Sequence, residues 1–296
     1  MKVSVVIPTF NSSSTLGRAL QSIVEQDYSP LEVILVDDCS SDDEINRMKE
    51  IIRSFQPRLD VQFVLNTKKS NASATRNQGA RLATGEWVAF LDSDDLMLPN
   101  KISEQVQFME VNNADVSFHQ IYRSELGSEY VEDNVFPKLD FDAETRVSDY
   151  LLADGGVIQT SSIMLKRCVL EKVQFNESLR RHQDFSFVLD LEHAGIPLFY
   201  LKRPLSHWVL EQESNCLRKK GQNLDFSLFW LELYKNKLTP KARFAYLSGT
   251  CLSFAKQERR LGFYLQYLLK HFGLISPLQV VQCALKNKLN RDSNLL

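Results

Sequence analysis

The chain has 296 residues, of which 44% are hydrophobic and 24% are charged, and its formal net charge is −2. This is the composition of an ordinary globular protein, and it excludes disordered and fibrous chains. The 5 cysteines are dispersed without C-x-x-C spacing, which argues against a secreted disulfide framework and against a zinc site. No stretch approaches the roughly 20 apolar residues that span a bilayer, so a cytoplasmic protein is expected.

Apolar strands and amphipathic helices alternate along the first third of the chain. A β-branched apolar run from Val3 to Ile7 predicts the first strand, and apolar side chains at helical spacing follow from Leu16 to Val24. Ser41 and Glu44 form the pattern of a capping box at the start of a second helix. Further strands are predicted at 33–36, 61–65 and 87–91, and a further helix at 73–82. Continuous apolar strands separated by helices indicate an α/β fold with a parallel sheet covered on both faces.

The later part of the chain changes from a mixed pattern to a helical one near residue 215. Helices are predicted at 99–111 and 185–193, and strands at 114–118, 161–165 and 198–201. From about residue 222 the pattern is helical, and Ser276-Pro277 predicts the start of a last helix. We therefore expect a first domain at 1–214, with halves at 1–95 and 96–214, and a helical region at 215–296.

The small net charge hides an asymmetry. Residues 215–296 carry 14 Lys and Arg against 4 Asp and Glu, which leaves residues 1–214 with a net charge of −12. Basic, aromatic and leucine side chains are mixed between Arg259 and Phe272, which suits the anionic inner face of a cell membrane. Helices that pack on a domain and expose their lysines are the alternative. Nucleic acid is not expected as a partner, because residues 1–214 are acidic and no binding motif is present.

Polar groups follow the predicted strands at their carboxyl ends, which is where parallel sheets bind ligands. These groups are Pro8-Thr9-Phe10, Asp37-Asp38, Asn66 and Asp92-Ser93-Asp94-Asp95. Several carboxylates so close together repel each other, and a bound divalent cation relieves that repulsion. The alternative is an acidic loop that caps the next helix, a task for which one carboxylate is usually enough.

Four segments follow one another between residues 3 and 187, and they are VSVVIPTFN, ILVDDCSSDD, SATRNQGARLATGEWVAFLDSDD and HQDFSF. Together they resemble the family-2 glycosyltransferases of the GT-A fold. The resemblance implies a Rossmann-like, mostly parallel sheet and an inverting sugar transfer from a nucleotide-diphospho-sugar, typically a UDP-sugar. The acceptor it implies is a hydroxyl of a glycan or of a lipid-linked saccharide in surface polysaccharide biosynthesis.

The resemblance also implies roles for single residues. Asp94, together with Asp92, is expected to bind Mn²⁺ or Mg²⁺, and Asp184 is expected to be the catalytic base. His207 is a weaker candidate for a metal ligand, with a structural histidine as the alternative. The residues expected to contact the nucleotide-sugar are Pro8, Thr9, Phe10, Asp38, Asn66, Arg76, Asp92 and Ser93.

The chain departs from the family pattern at two positions. Gln183 stands where the family usually has Glu, which removes a charge beside Asp184. Asn71 stands where the family commonly has Gly in the loop before Arg76. Since Asn tolerates a left-handed backbone better than other residues, we expect the loop to keep its shape.

Other functions remain to be weighed against a transferase. Without the resemblance, the favoured interpretation of Asp184 is an acidic first-turn residue stabilised by a helix dipole, and the resemblance reverses that preference. A non-catalytic sensor or scaffold that binds nucleotide-sugars at the membrane needs Asp38 and Asp94 but not Asp184. Haloacid-dehalogenase phosphatases fit poorly, because they have Thr or Val where this chain has Leu96, and sugar nucleotidyltransferases open with a Gly-rich loop that this chain lacks.

Overall fold

The computed structural model describes residues 1–125, 134–142, 144–210 and 223–272. The helix predicted after Ser276 lies outside these residues. The chain divides into two compact units, Met1–Thr145 with Gly156–Cys216 and Arg146–Gly155 with Leu217–Leu296. The segment Arg146–Gly155 thus groups with the helical unit, whereas the sequence pattern assigned it to the first domain.

A mixed sheet forms the centre of the first unit. In the described part of the chain its strand order is β3-β2-β1-β4-β8-β6-β9-β5, and β7 pairs with β6. The strands are β1 (Val3–Thr9), β2 (Leu31–Asp37), β3 (Asp60–Leu65), β4 (Trp87–Phe90), β5 (Leu96–Met97), β6 (Val116–Glu125), β7 (Val135–Phe136), β8 (Met164–Lys166) and β9 (Leu198–Leu210). The helices of this unit are α1 (Ser13–Val24), α2 (Asp42–Phe55), α3 (Ala72–Leu82), α4 (Lys101–Val111) and α6 (Gln183–His193).

The prediction of a parallel sheet is confirmed for the first four strands. Strand β1 pairs in parallel with β2 and β4, and β2 pairs in parallel with β3. The rest of the sheet is mixed, because β8 runs antiparallel to β4 and β6, and β5 runs antiparallel to β9. The sequence pattern predicted strands at 114–118, 161–165 and 198–201 but not their directions, because antiparallel neighbours need no helical crossover between them.

Local chemistry moves several element boundaries. Thr160–Ser162 forms a 3₁₀ turn, so the strand predicted at 161–165 begins only at Met164. The predicted capping box is half correct: the Ser41 side chain accepts the Glu44 N–H, but the Glu44 carboxylate accepts the Ser13 N–H at 3.0 Å instead of closing on Ser41. Glu44 therefore ties the starts of α1 and α2 together.

The core of the first unit lies between the sheet and the helices on one of its faces. It is built from apolar side chains of β1, β2, β4, α1 and α4, including Val5, Leu20, Val33, Ala89 and Ile102. On α3, the backbone approaches β1 at Gly79, where a Cβ atom would lie 2.5 Å from Val6 Cγ1. This close approach sets the position of Arg76, which lies one helical turn before Gly79.

The second unit is helical and has its own aromatic core. Its helices are α5 (Val147–Leu152), α7 (Leu224–Tyr234), α8 (Pro240–Tyr246), α9 (Leu252–Gln257) and α10 (Leu261–Phe272). The Trp230 ring stacks on Tyr234 with centroids 5.3 Å apart, and the Tyr264 hydroxyl donates to the Leu247 carbonyl at 2.8 Å. Among the described residues, no helix combines the length and the apolar character that crossing a membrane requires.

Replacing Gly79 with Ala tests the α3–β1 contact that positions Arg76. Because Val6 is fully buried and branched at Cβ, it cannot move away, and we expect Gly79→Ala to lower the free energy of unfolding by about 1–3 kcal/mol. Gly17→Ala in α1 is the matched control, since its Cβ would make an ordinary 3.8 Å contact with Ile51 Cγ2. Urea denaturation measures both variants, and equal stabilities would contradict the contact.

Candidate active site

Three carboxylates meet in the loop that follows β4. Asp92, Asp94 and Asp95 each offer an oxygen, and these oxygens lie within 4.8 Å of one another. Asp92 and Asp94 are half-buried, whereas Asp95 is buried. The loop turns tightly, since the Asp95 N–H donates to the Asp92 carbonyl at 3.0 Å. Clustered carboxylate oxygens are the donor set that hard divalent cations such as Mg²⁺ and Mn²⁺ take, so these residues fit such an ion.

Asp95 holds the acidic loop in place. Its carboxylate accepts hydrogen bonds from Gln159 Nε2 and Ser161 Oγ, both at 2.6 Å, and from the Val209 N–H at 3.1 Å. Burial raises the pKa of Asp95 well above its ordinary value, and the neighbouring Asp94 and Asp92 raise it further. The interior partners thus anchor Asp95, and Asp92 and Asp94 form the more exposed pair.

Arg76 connects the acidic loop to helix α6. Its Nη2 donates to Asp92 Oδ1 at 2.5 Å, and its Nη1 donates to Gln183 Oε1 at 3.0 Å. The Arg76 side chain is only 6% exposed, which makes this a nearly buried ion pair. Gln183 Nε2 donates in turn to the Leu179 carbonyl at 2.9 Å, so both ends of the amide are held.

Asp184 lies in the first turn of α6, directly after Gln183. The Phe185 N–H donates to its carboxylate at 2.9 Å. Desolvation raises the pKa of Asp184 and the nearby Asp92 charge raises it further, while the Phe185 N–H and the Arg76 guanidinium lower it. Asp184 is therefore close enough to Asp92 and Arg76 for both charges to shift its pKa, although it lies 92 residues after Asp92 in the chain.

A second group of predicted residues meets where β1 and β2 end. The Asp38 N–H donates to the Thr9 carbonyl at 2.9 Å, so the chain segments that carry Phe10 and Asp38 leave the sheet as neighbours. Asn11 follows in the first segment and Cys39 in the second. Both have a left-handed backbone, with φ of 49° and 59°. Asn enters this region readily, whereas Cys seldom does.

The loop before α3 closes over Phe10 and Asp38. The Ser70 N–H and the Ser70 hydroxyl both donate to Asp38 Oδ1, at 2.6 and 2.8 Å. Lys69 Nζ lies 2.8 Å above the centroid of the Phe10 ring, donates to the Asp38 carbonyl at 3.2 Å and lies 3.6 Å from Asp38 Oδ2. Phe10, Asp38, Lys69 and Ser70 form a compact group, which we call the β1–β2 pocket.

The remaining predicted residues make other contacts. The Ser93 hydroxyl donates to Ser12 Oγ at 2.9 Å, and the Thr9 hydroxyl donates to Asp37 Oδ1 at 3.3 Å. Asn66 uses its backbone, donating its N–H to the Asp37 carbonyl at 3.0 Å. Pro8 is half-buried within β1, opposite Val36.

His207 lies in β9, paired with Leu96 of β5 and stacked on the Tyr122 ring with centroids 5.1 Å apart. Burial lowers its pKa to about 4, so the imidazole is neutral at physiological pH. Within the described ranges, the group of carboxylates around Asp94 does not include His207. Its role as a metal ligand stays a prediction.

Asn71 does not have the left-handed backbone on which its expectation was based, and the preserved shape of the loop stays a prediction. Its φ is −167°, which is extended backbone open to any residue, and no left-handed conformation is needed. Asn71 is instead the N-cap of α3, where its side-chain oxygen accepts the Ala74 N–H at 3.1 Å. Its Nδ2 also donates to the Glu177 carbonyl at 2.7 Å. A glycine at this position could form neither of these two side-chain hydrogen bonds.

Four contacting residues were not among the site residues that the sequence predicted. Lys69 and Ser70 stand in a run of polar residues with no period, and Gln159 and Ser161 stand in a segment that the pattern assigned in part to a strand. Their partners Asp38 and Asp95 are 31 to 66 residues away in the chain. The sequence shows that these residues are polar. Which of them contact Asp38 and Asp95 follows only from the folded chain.

A family model described as Glycosyl transferase family 2 matches residues 4–172, which is more than half of the chain. The chain belongs to glycosyl transferase family 2. The amylovoran biosynthesis glycosyltransferase AmsB of Erwinia amylovora is 31% identical over 248 residues, which cover 82% of this chain and 81% of the relative. A GalNAc(5)-diNAcBac-PP-undecaprenol beta-1,3-glucosyltransferase of Campylobacter jejuni is 33% identical over 263 residues, which cover 86% of this chain and 81% of the relative. The protein is therefore a glycosyltransferase.

Solved structures share its fold. S. aureus TarS in complex with UDP-GlcNAc superposes with a TM-score of 0.61 at 20% identity, over 92% of this chain and 73% of that one. The mannosyltransferase PcManGT of Pyrobaculum calidifontis, in complex with GDP-Man and Mn²⁺, gives a TM-score of 0.58 at 18% identity, over 97% of this chain and 79% of that one. The predicted GT-A fold with a helical C-terminal region is confirmed.

Removing the guanidinium of Arg76 tests the link between the acidic loop and α6. Arg76→Ala leaves Asp92 without this ion pair among neighbouring carboxylates, and we expect it to lower the free energy of unfolding by about 3 kcal/mol. Arg81→Ala, at an exposed position further along α3, is the control and should change the stability by less than about 0.5 kcal/mol. A loss no larger than that of the control in urea denaturation would show that the bridge contributes nothing.

Proposed function

We propose that this glycosyltransferase moves a sugar, with inversion, from a nucleotide-diphospho-sugar to a hydroxyl of a glycan or lipid-linked saccharide in polysaccharide biosynthesis. The observation that carries the proposal is the Arg76 bridge, which brings Asp92 and the start of α6, with Asp184, to the same place. The names of two relatives refer to amylovoran biosynthesis and to an undecaprenol-linked acceptor, and these support the acceptor class.

The nucleotide is proposed to bind along the carboxyl ends of β1, β2 and β4. The base would occupy the β1–β2 pocket at Phe10 and Asp38, next to Pro8 and Thr9. Asn66, Arg76 and Ser93 would line the path toward the diphosphate. A uridine nucleotide is proposed, in keeping with the TarS complex with UDP-GlcNAc, although the PcManGT complex holds GDP-Man.

Asp94 and Asp92 are the residues proposed to hold a divalent cation, Mn²⁺ or Mg²⁺. Their carboxylate oxygens belong to the cluster that spans 4.8 Å, and the PcManGT complex contains Mn²⁺. When bound, such a cation neutralises negative charge that develops on the leaving β-phosphate. Arg76 keeps Asp92 oriented by its hydrogen bond and offsets part of the negative charge of the loop.

Asp184 is proposed to be the general base. The attacking hydroxyl has a high pKa and loses its proton late, so a positioned carboxylate assists the attack. The raised pKa of Asp184 makes this carboxylate a better proton acceptor than an exposed aspartate. Inversion requires the base and the leaving group to lie on opposite faces of the sugar, and α6 supplies Asp184 from a different element than the loop of Asp94.

The helical unit is proposed to contact an anionic membrane surface. On α10, Tyr264 and Leu268 are fully buried, while Leu261, Phe263 and Leu269 are 41%, 46% and 58% exposed. Exposed apolar side chains near basic ones favour an interfacial position, at the inner face of the cell membrane. Such a position suits a lipid-linked acceptor.

Asp184→Asn tests the proposed function. The amide cannot accept the proton, and we expect turnover to fall by 10²–10⁴-fold while the affinity for UDP in the presence of Mn²⁺ is retained. Glu192→Gln, later in the same helix, is the control and should leave turnover unchanged. Sugar transfer is followed with radiolabelled nucleotide-sugars, and binding by calorimetry. Full turnover in Asp184→Asn would contradict the role of Asp184 as the base, whereas a wild type that binds UDP without transferring sugar would favour a binding protein.

A further inference from the structure

We propose that Ser70 limits Asp38 to one available acceptor oxygen and thereby makes the β1–β2 pocket select uracil over guanine. The inference rests on the proposed function, because it assumes that the nucleotide base lies at Phe10 and Asp38.

The position of Lys69 reveals the chemistry of the space beside Phe10. Its ammonium nitrogen lies 2.8 Å above the Phe10 ring centroid and 3.6 Å from Asp38 Oδ2. A nucleobase offers the same two contacts. Its flat ring can stack on the Phe10 ring, and an N–H on its edge can donate to the Asp38 carboxylate. The Lys69 side chain is 52% exposed, so its ammonium can leave this space toward solvent when a base enters.

The hydrogen bonds of Asp38 decide how many acceptors a base meets. A carboxylate oxygen offers about two lone-pair sites. Asp38 Oδ1 receives two donors from Ser70, the N–H at 2.6 Å and the hydroxyl at 2.8 Å, and is therefore saturated. Oδ2 has Lys69 at 3.6 Å, a loose ion pair that a neutral N–H donor can replace. Asp38 thus presents one oxygen, with its direction fixed by the loop.

The edges of the bases respond differently to a single acceptor. Uracil has one ring N–H between two carbonyls, and this donor matches one carboxylate oxygen. Guanine presents two adjacent donors, a ring N–H and an amino group, which need both oxygens of a carboxylate. With Oδ1 occupied by Ser70, the second guanine donor finds no acceptor on this carboxylate and loses a charge-assisted hydrogen bond. The ring nitrogen of cytosine is an acceptor, so it repels the same oxygen.

Local contacts around the base, and not the fold, must determine whether uracil or guanine is bound. TarS and PcManGT share the fold of this chain but are complexed with a uridine and a guanosine nucleotide respectively. A specificity-determining side chain therefore has to lie in the contacts around the base. Ser70 donates to Asp38 from the loop between β3 and α3, which is a position where a side chain can change without changing the strands of the sheet.

Calorimetry of the full chain with UDP, GDP and CDP in the presence of Mn²⁺ tests the proposal. The wild type should bind UDP at least about tenfold more tightly than GDP or CDP. Ser70→Ala keeps the backbone donor but frees one lone pair of Oδ1, so the preference for UDP over GDP should shrink several-fold while discrimination against CDP persists. Ser70→Thr restores the hydroxyl and should restore the preference. Thr67→Ala, exposed in the same loop, is the matched control and should keep the wild-type ratio.

The outcomes separate this inference from the function on which it rests. Equal or tighter binding of GDP or CDP by the wild type, or an unchanged UDP to GDP ratio in Ser70→Ala, would overturn the role of Ser70 while nucleotide binding stands. A purely structural role of Ser70 would weaken UDP and GDP equally and leave the ratio unchanged, which also overturns it. Binding of none of the three nucleotides would overturn both the inference and the proposed function.

Discussion

A single buried guanidinium organises the candidate active site. Arg76 holds Asp92 with one nitrogen and Gln183 with another, and these partners come from segments that lie 91 residues apart in the chain. Without this cation, the negative charges of Asp92 and Asp184 would repel each other with nothing between them to offset the repulsion. The close approach of α3 to β1 at Gly79 fixes where the guanidinium can reach, so the geometry of the site depends on packing beneath it.

The departure from the family at position 183 gains a physical meaning from this bridge. A glutamine accepts one hydrogen bond from Arg76 and donates another to the Leu179 carbonyl. A glutamate could not make the second bond and would compete with Asp92 for the guanidinium charge. In this chain the neutral amide therefore leaves the charge of Arg76 to Asp92 and to Asp184.

Much of the first unit could be predicted from the sequence, because its signals are local. Apolar runs predicted β1 to β4, and the polar residues that follow these strands predicted Asp38, Asp92 and Asp94 as site residues. The antiparallel pairings of the sheet, the N-cap role of Asn71 and the hydrogen bonds of Ser70 could not be predicted in the same way. Each depends on which distant segment lies opposite, as in the 106 residues between Asn71 and Glu177, and no periodicity encodes that choice.

We propose that a cation site at Asp92 and Asp94 and the base Asp184 serve one reaction space. Diffraction from crystals of the full chain with Mn²⁺ and UDP, recorded for the anomalous signal of manganese, tests this proposal. A manganese peak is expected at the carboxylates of Asp94 and Asp92, with the carboxyl group of Asp184 lining the same cavity. A peak away from these residues, or an Asp184 that opens into a separate cavity, would contradict it.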